Sequence, residues 1–302
     1  MRGTRMAGQS PALQSTDHPV TIRRATAADA EACGNICYEA FRSLAAQHNF
    51  PPDLPDAGVG ILILSMMFSH PGFFCVVAEQ NGQIIGSNCL DERNAISGVG
   101  PITIDPTAQN RSAGRQLMRV VMERSAERNF PGIRLVQAAY HNRSLSLYAK
   151  LGFIAREPLS CMQGPAIQKT PPGYMVRPAQ SADLSACNAL CLRVHGHHRG
   201  GELNDAIEQG SAVVAESRGR ITAYASSLAF FGHAVGETNE DVQALIATAP
   251  AFLGPGVLVP TRNAALFRWC VENGLRVVQP MTLMTIGLYN EPAGAYLPSI
   301  LY

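Results

Sequence analysis

The chain repeats itself, and that repeat limits its fold more than any other feature. The run Ile22-Arg23-Arg24-Ala25-Thr26-Ala27-Ala28-Asp29-Ala30-Glu31-Ala32-Cys33 returns as Val176-Arg177-Pro178-Ala179-Gln180-Ser181-Ala182-Asp183-Leu184-Ser185-Ala186-Cys187. Val76-Val77-Ala78-Glu79 before Gly82 returns as Val213-Val214-Ala215-Glu216 before Gly219. Residues 142–152 find an echo in 263–274, with Trp269 opposite Tyr148. Order is preserved, and the offset runs from about 155 to about 120 residues, too long for a solenoid unit and the right size for a duplicated domain. A chain of 302 residues with 46% hydrophobic content has room and apolar material for two such cores.

Each copy reads as strand, helices, hairpin, strand, helix, strand, helix. In the first, residues 20–24 form a strand and 28–41 a helix with Asp29 in its first turn. The Pro-rich 51–55 is a loop, and 59–68 an apolar helix. Strands at 73–78 and 83–90 flank Asn81-Gly82, a strong hairpin turn. A strand at 99–104 precedes an amphipathic helix at 112–128, whose apolar face carries Leu117, Val120 and Val121. A buried strand at 133–139 leads to a short helix at 144–151 that Gly152 ends. This order predicts an α/β fold with a mixed sheet. The chain divides into a disordered tail at 1–18, a first domain at 19–165 and a second at 172–302.

The chemistry concentrates in one loop. Thr103-Ile104-Asp105-Pro106-Thr107-Ala108-Gln109-Asn110-Arg111-Ser112-Ala113-Gly114-Arg115 takes a β-branched strand through a small, polar loop into the first turn of a helix. Such a turn aims unpaired N–H groups at one point, with the helix dipole behind them. Small side chains at Ser112, Ala113 and Gly114 let an anion approach, and Arg111 and Arg115 add positive charge. A phosphate or pyrophosphate site is expected here. Asp105, beside Pro106, reads as turn chemistry.

A second segment, Asn142-Arg143-Ser144-Leu145-Ser146-Leu147-Tyr148-Ala149-Lys150-Leu151-Gly152-Phe153, completes a pattern. Together the two segments resemble the GNAT superfamily of N-acetyltransferases. There, Gln/Arg-x-x-Gly-x-Gly/Ala grips the pyrophosphate of acetyl-CoA, and a helix with Asn and Tyr-x-Lys-x-Gly-Phe lies on the cofactor's other side. Here the first pattern is Gln109-Asn110-Arg111-Ser112-Ala113-Gly114, with Ser112 where glycine is usual. The resemblance implies two tandem acyl-CoA N-acyltransferase folds. Acetyl-CoA would be the co-substrate, held by Gln109 to Arg115 and by the backbone of Ile102, Thr103 and Ile104, on which the pantetheine pairs like an added strand. A backbone N–H there would stabilise the oxyanion. Tyr148 would be the general acid toward the departing thiolate. Asn142 would hold the pantetheine, cap its own helix, or do both. Lys150 faces either a phosphate of the cofactor or solvent.

The second copy keeps the scaffold and loses the site. Gly236-Glu237-Thr238-Asn239-Glu240-Asp241 stands where the first copy has its cationic loop. Carboxylates suit a helix N-terminus but repel a diphosphate, at about a kcal/mol or more per close contact. One acyl-CoA site per chain is expected, moving acetyl to a primary amine on a small molecule or peptide by direct attack. The rival reading is a non-catalytic acyl-CoA sensor or interaction module on the same fold. For a general base the sequence offers Asp91 and Glu92, at the end of the second hairpin strand; both read equally as surface acids. The acceptor pocket would be lined by the loop and helix from Gln47 to Phe68 and by whatever the second half contributes; Met66, Met67, Phe68 and Phe73 offer either an apolar component there or core.

Charge and composition exclude other classes. The formal net charge is +1, which gives no footprint for nucleic acid or an anionic membrane. No apolar run is long enough to span a bilayer, and residues 1–18 lack the apolar stretch of a secretory signal. The eight cysteines include no CxxC; Cys33/Cys37 and Cys187/Cys191 read as small buried hydrophobes in a reduced, cytoplasmic setting. His195-Gly196-His197-His198 reads as a loop between helices rather than a metal cluster, and no metal is required. The apolar end, residues 295–302, should dock against the protein near the acceptor groove. A homodimer is left open.

Overall fold

The computed structural model of the chain describes residues 19–109 and 112–302; the tail expected at 1–18 lies outside them. β1 (Thr21–Arg24) leads through one 3₁₀ turn into α1 (Ala30–Gln47), which α2 (Ala57–Ser69) crosses. The two helix backbones touch: a Cβ on Gly34 would lie 2.4 Å from the Cα of Ile61, so the crossing admits only glycine. Asp56 starts α2 by accepting the Val59 amide at 3.1 Å. β2 (Phe73–Gln80) and β3 (Gln83–Asp91) form the expected hairpin, with Asn81 and Gly82 at φ 55° and 74° as a type I′ turn requires. β4 (Ser97–Val99), β5 (Thr103–Ile104), α3 (Ala113–Glu127), β6 (Gly132–Ala138), α4 (Asn142–Lys150) and β7 (Ile154–Gln163) complete the first half.

The second half follows the same plan. It comprises β8 (Tyr174–Pro178), α5 (Leu184–His195), α6 (Gly200–Glu208), β9 (Val213–Ser217), β10 (Arg220–Ala225) and β11 (Ala234–Gly236). Then come α7 (Asn239–Thr248), β12 (Val257–Pro260), α8 (Ala264–Glu272), β13 (Arg276–Gly287) and β14 (Ala295–Leu297). The sequence repeat is a repeat of contacts. Arg23 donates to Asp29 at 2.7 and 2.8 Å and to Glu79 at 2.6 Å. Arg177 donates to Asp183 at 2.7 and 2.9 Å and to Glu216 at 2.6 Å. Each clamp ties the first strand of its half to the start of the first helix and to the second strand.

The halves do not close on their own strands. The larger sheet runs β1-β2-β3-β4-β6-β13-β7-β12, with β5 against β3; the smaller runs β14-β11-β10-β9-β8. β13, from the second half, lies between β6 and β7 of the first, pairing from Met281–Ala138 to Gly287–Gly132 on one edge and with β7 on the other. β7 pairs in turn with β12. β6 and β12 hold equivalent places in their halves, as do β7 and β13, so the last strands have been exchanged. Leu135, Leu159, Leu258, Met281, Leu283 and Met284 on these strands are all buried, each worth about 1.5–3 kcal/mol of apolar transfer. The chain limits 19–165 and 172–302 thus divide the sequence but not the sheets.

Two departures from expectation shape the site. The strand expected at 99–104 is broken. β4 pairs in parallel with β6 for only two positions, Ser97–Ile133 and Gly98–Arg134. The chain then turns at Gly100-Pro101, where proline has no N–H for a ladder, and β5 pairs with β3 instead. β4 and β6 therefore splay. In the second half the equivalent strand β11 pairs with β14, from Ala234–Leu297 to Gly236–Ala295. Beyond β14 the chain runs back against the first half. A Cβ on Gly98 would lie 2.0 Å from the Leu301 carbonyl, so the segment docks directly on β4.

His195 and His197 lie at the end of α5 and in the α5–α6 loop, and both are buried. With His233 they form a ring cluster, His195 to His197 at 5.6 Å and to His233 at 5.5 Å between centroids. Arg134 and Arg199 stack on the Tyr302 ring at 4.2 and 4.5 Å. Among the described residues no group of three or more His, Cys, Asp or Glu is placed to hold a metal, and no helix is long and apolar enough to cross a membrane. All eight cysteines are buried, Cys33/Cys37 and Cys187/Cys191 each within one core cluster.

Candidate active site

Where β4 and β6 diverge, they open a cleft of about 790 Å³ that runs from the start of α3 past α4 to α1. Its upper lip is the first turn of α3. Ser112 stands before it in left-handed conformation, φ 61° and ψ −2°, and gives no side-chain cap. Its hydroxyl instead accepts from Gln116 at 3.0 Å. Among the described residues no side chain caps the first-turn amides of α3, and Ser112, Ala113, Gly114 and Arg115 all line the cleft. The equivalent helix of the second half is closed: Thr238 and Asp241 form a reciprocal capping box, with the Thr238 amide donating to Asp241 at 2.7 Å. Glu237 beside it is held by Arg193 at 2.9 Å and Arg220 at 2.6 Å.

Positive charge gathers at the α3–α4 end, where Arg115, Arg143 and Lys150 line the cleft. Arg143 donates to the Gln109 side chain at 2.7 Å, bridging the lips. Along the floor, Gln137 is buried with neither side-chain oxygen nor nitrogen hydrogen-bonded, and the Thr103 hydroxyl is likewise unpartnered. Both residues line the cleft, so polar capacity there is free for a ligand.

Tyr148 sits at the centre. It is 6% exposed, packs edge-on to Phe153 at 6.1 Å, and lines the cleft. Burial pushes its phenol up to about 12, with a hydrogen bond from Ser144 opposing. The phenol is therefore protonated at neutral pH. Ser144 also meets Nδ1 of His141 at 2.8 Å. Burial lowers the His141 pKa, assisted by Arg143 and His48, so the imidazole is neutral. Tyr148, Ser144 and His141 together form a short chain of proton-bearing groups at one wall.

Most of the residues read from the sequence meet in this one place. Ile102, Thr103, Ile104, Gln109, Ser112, Ala113, Gly114, Arg115, Tyr148 and Lys150 all line the cleft. Asn110 and Arg111 lie outside the described residues. Asn142 is exposed in the first turn of α4 and is not part of the lining; its carbonyl accepts from Ser146 at 2.8 Å. The two acids read as candidate bases lie off the cleft. Glu92 is taken up by Arg124 at 2.6 and 3.1 Å, and Asp91 by Arg93 at 2.9 and 2.6 Å, and neither lines the cleft. They end a strand whose tip turns away, and two arginines neutralise them there. Met67 and Phe73 are core, and with Met66 and Phe68 they stay off the cleft wall. Asp105 caps its own turn, accepting the Thr107 amide at 2.8 Å. The final segment does reach the groove, through Ile300 and Leu301.

Sequence reasoning offered Asp53 only as one of the 47–68 segment expected at the acceptor pocket, and it missed Tyr140, Phe230 and Phe231, which also line the cleft, and Gln279, which holds Asp53. Asp53 had one signal, as the lone acid in the Pro-rich 51–55 loop. The others had none.

Comparison with known proteins agrees with this geometry. Residues 38–153 match the model of the acetyltransferase (GNAT) family. That match places a GNAT acetyltransferase domain at 38–153, within the first half. No curated protein sequence matches the chain. Among solved structures, a provisionally assigned acetyltransferase from Pyrococcus horikoshii aligns over 97% of this chain and 98% of its own, with a TM-score of 0.71 and 16% identity. A GNAT protein from Sphaerobacter thermophilus covers 90% and 96% at TM-score 0.58 and 14% identity. A tandem GNAT protein of the clavulanic acid biosynthesis pathway covers 89% and 98% at TM-score 0.54 and 12% identity. At such identities the likeness is one of fold, and it extends across both halves: the chain is a tandem GNAT fold.

Proposed function

We propose that this protein transfers the acetyl group of acetyl-CoA to a primary amine, at a single site in the first half. The observation that carries this reading is the pairing of an uncapped, cation-flanked helix start with a buried, protonated tyrosine across one cleft. The α3 amides, Arg115, Arg143 and Lys150 suit the diphosphate. The splay between β4 and β6, with Gln137 and Thr103 unpaired along it, suits the amide-bearing pantetheine arm. Tyr148 would donate its proton to the sulfur leaving the acyl carbon.

A single site is supported by three features of the second half. Its helix start is capped, the edge of β11 is paired with β14, and Trp269 stands opposite Tyr148, with no phenol to donate. Calorimetry should give one acetyl-CoA per chain. Tyr148→Phe should keep that affinity within about twofold and lower turnover by about 100-fold in a thiol-release assay. Binding with no turnover on any amine would favour the sensor reading instead, and failure to bind coenzyme A would end both.

A further inference from the structure

Resting on the transfer reading above, we infer that the acceptor is a monoamine on an apolar alkyl or aryl body, its ammonium seated on Asp53 and its body on a wall supplied by the second half. The cleft is electrically two-ended. Its cations cluster by α3 and α4, while Asp53, in the α1–α2 loop, is the sole carboxylate among the described lining residues. A ligand that spans the cleft is therefore asked for negative charge at one end and positive charge at the other.

Asp53 is held as a receptor group rather than left on a mobile loop. The Gln279 amide nitrogen donates to its Oδ1 at 2.5 Å, and the Gln279 amide oxygen accepts from the Tyr140 hydroxyl at 2.9 Å. Gln279 itself is 1% exposed, on β13. Oδ2 of Asp53 has no hydrogen-bond partner among the described residues. Tyr140 stacks on Phe50 at 4.2 Å and brings an aromatic ring to the lining, where a cation is welcome. Among the described residues no arginine or lysine is paired with Asp53, unlike Asp91 and Glu92. Burial raises its pKa, which suits a group that must take up a proton and give it back.

Beside Asp53 the cleft turns apolar. Phe230, Phe231, Met281, Ile300 and Leu301 all come from the second half and line it. The wall is rigid, because the Ile300 amide donates to the Phe230 carbonyl at 2.9 Å and the Ser299 hydroxyl to the Phe231 carbonyl at 2.9 Å. Such a surface favours hydrocarbon and offers a sugar or a second charge no partner.

The step balances without another reactant. The bound ammonium gives one proton to Asp53, and the freed nitrogen bonds to the acyl carbon. The carbon–sulfur bond breaks, and the sulfur takes the Tyr148 proton. The surplus proton on the new amide nitrogen returns to the Tyr148 oxygen, and Asp53 releases its own to solvent. The product is uncharged, so its attraction to Asp53 ends with the reaction.

The full chain is assayed for thiol release with phenethylamine, hexylamine, glucosamine and putrescine, each with acetyl-CoA, with acetyl-CoA affinity measured in parallel. The two apolar monoamines should exceed the sugar amine and the diamine in kcat/KM by at least about tenfold. Asp53→Asn should lower kcat/KM for phenethylamine by about 100-fold with acetyl-CoA affinity unchanged. Phe231→Ala, at a partly exposed position that folding tolerates, should raise KM for the apolar amines about fivefold with kcat retained. Preference for the polar amines, no turnover of either apolar amine by protein that binds acetyl-CoA, or an Asp53→Asn enzyme of normal kcat/KM would overturn the inference and leave the transfer reading standing. Loss of acetyl-CoA binding by the unmodified protein would instead overturn the reading beneath it.

Discussion

Ser112 and Gly114, two positions apart, make opposite demands on their side chains. Ser112 holds φ 61°, where a Cβ costs about 1–2 kcal/mol and glycine would sit without strain. Ser112→Gly should relieve the strain at the expense of the Gln116 contact, raising stability by about 1 kcal/mol in urea unfolding and leaving acetyl-CoA affinity the same or tighter. A fall in stability would show that the hydroxyl matters more than the backbone. Gly114 is unstrained, and a Cβ there would meet nothing nearer than Ile104 at 3.8 Å. Its smallness serves the cleft rather than the fold. Gly114→Asp should therefore fold normally, with an unchanged melting temperature, and weaken acetyl-CoA binding by at least about tenfold, or 1.4 kcal/mol. Both residues were legible in the sequence because a helix start is a local device, set by its own few residues. Asp53 was not. Its burial and its hydrogen bond depend on Gln279, 226 positions away.

The same contrast holds among elements. Hairpins and helices follow from turn residues and periodicity, and the repeat doubled every such signal. The break at Gly100-Pro101 was written in the sequence too, in a proline that cannot serve a ladder, but a β-branched run around it read as one strand. Strand exchange had no signal. β7 and β13 carry similar buried apolar residues, and nothing in a strand's own pattern names its neighbour. A consequence follows for the isolated halves. Residues 1–170 expressed alone would leave β6 and β7 with unpaired, apolar edges where β13 belongs. That fragment should aggregate or unfold without a cooperative transition. Co-expression with residues 171–302 should restore a soluble one-to-one complex, as gel filtration and circular dichroism would show. A stable, monomeric first half would contradict the exchanged pairing.

The whole molecule carries a pH liability in its buried histidines. Burial, with help from Arg134, Arg199 and neighbouring rings, lowers the pKa values of His195 and His233 well below the usual imidazole range and brings His197 down to about 3. Unfolded, each would titrate near 6.5. Below that pH the unfolded chain takes up protons that the folded chain refuses, so stability declines as pH falls. The loss begins near pH 6.5 and continues to about 3, where His197 protonates in place. Each histidine contributes up to about 1.4 kcal/mol per pH unit within its window. The melting temperature should thus drop steeply between pH 7 and 5. His233 is buried with both ring nitrogens unpartnered, so His233→Phe should hold or raise stability at pH 7 and flatten the acid slope; a steeper slope would refute the assignment. The exchanged strands have a longer-term consequence. Neither duplicate can be discarded, or freed as a separate gene, without unravelling its twin. A copy whose helix start is capped and whose strand edge is paired is thereby retained for the architecture it lends to the other.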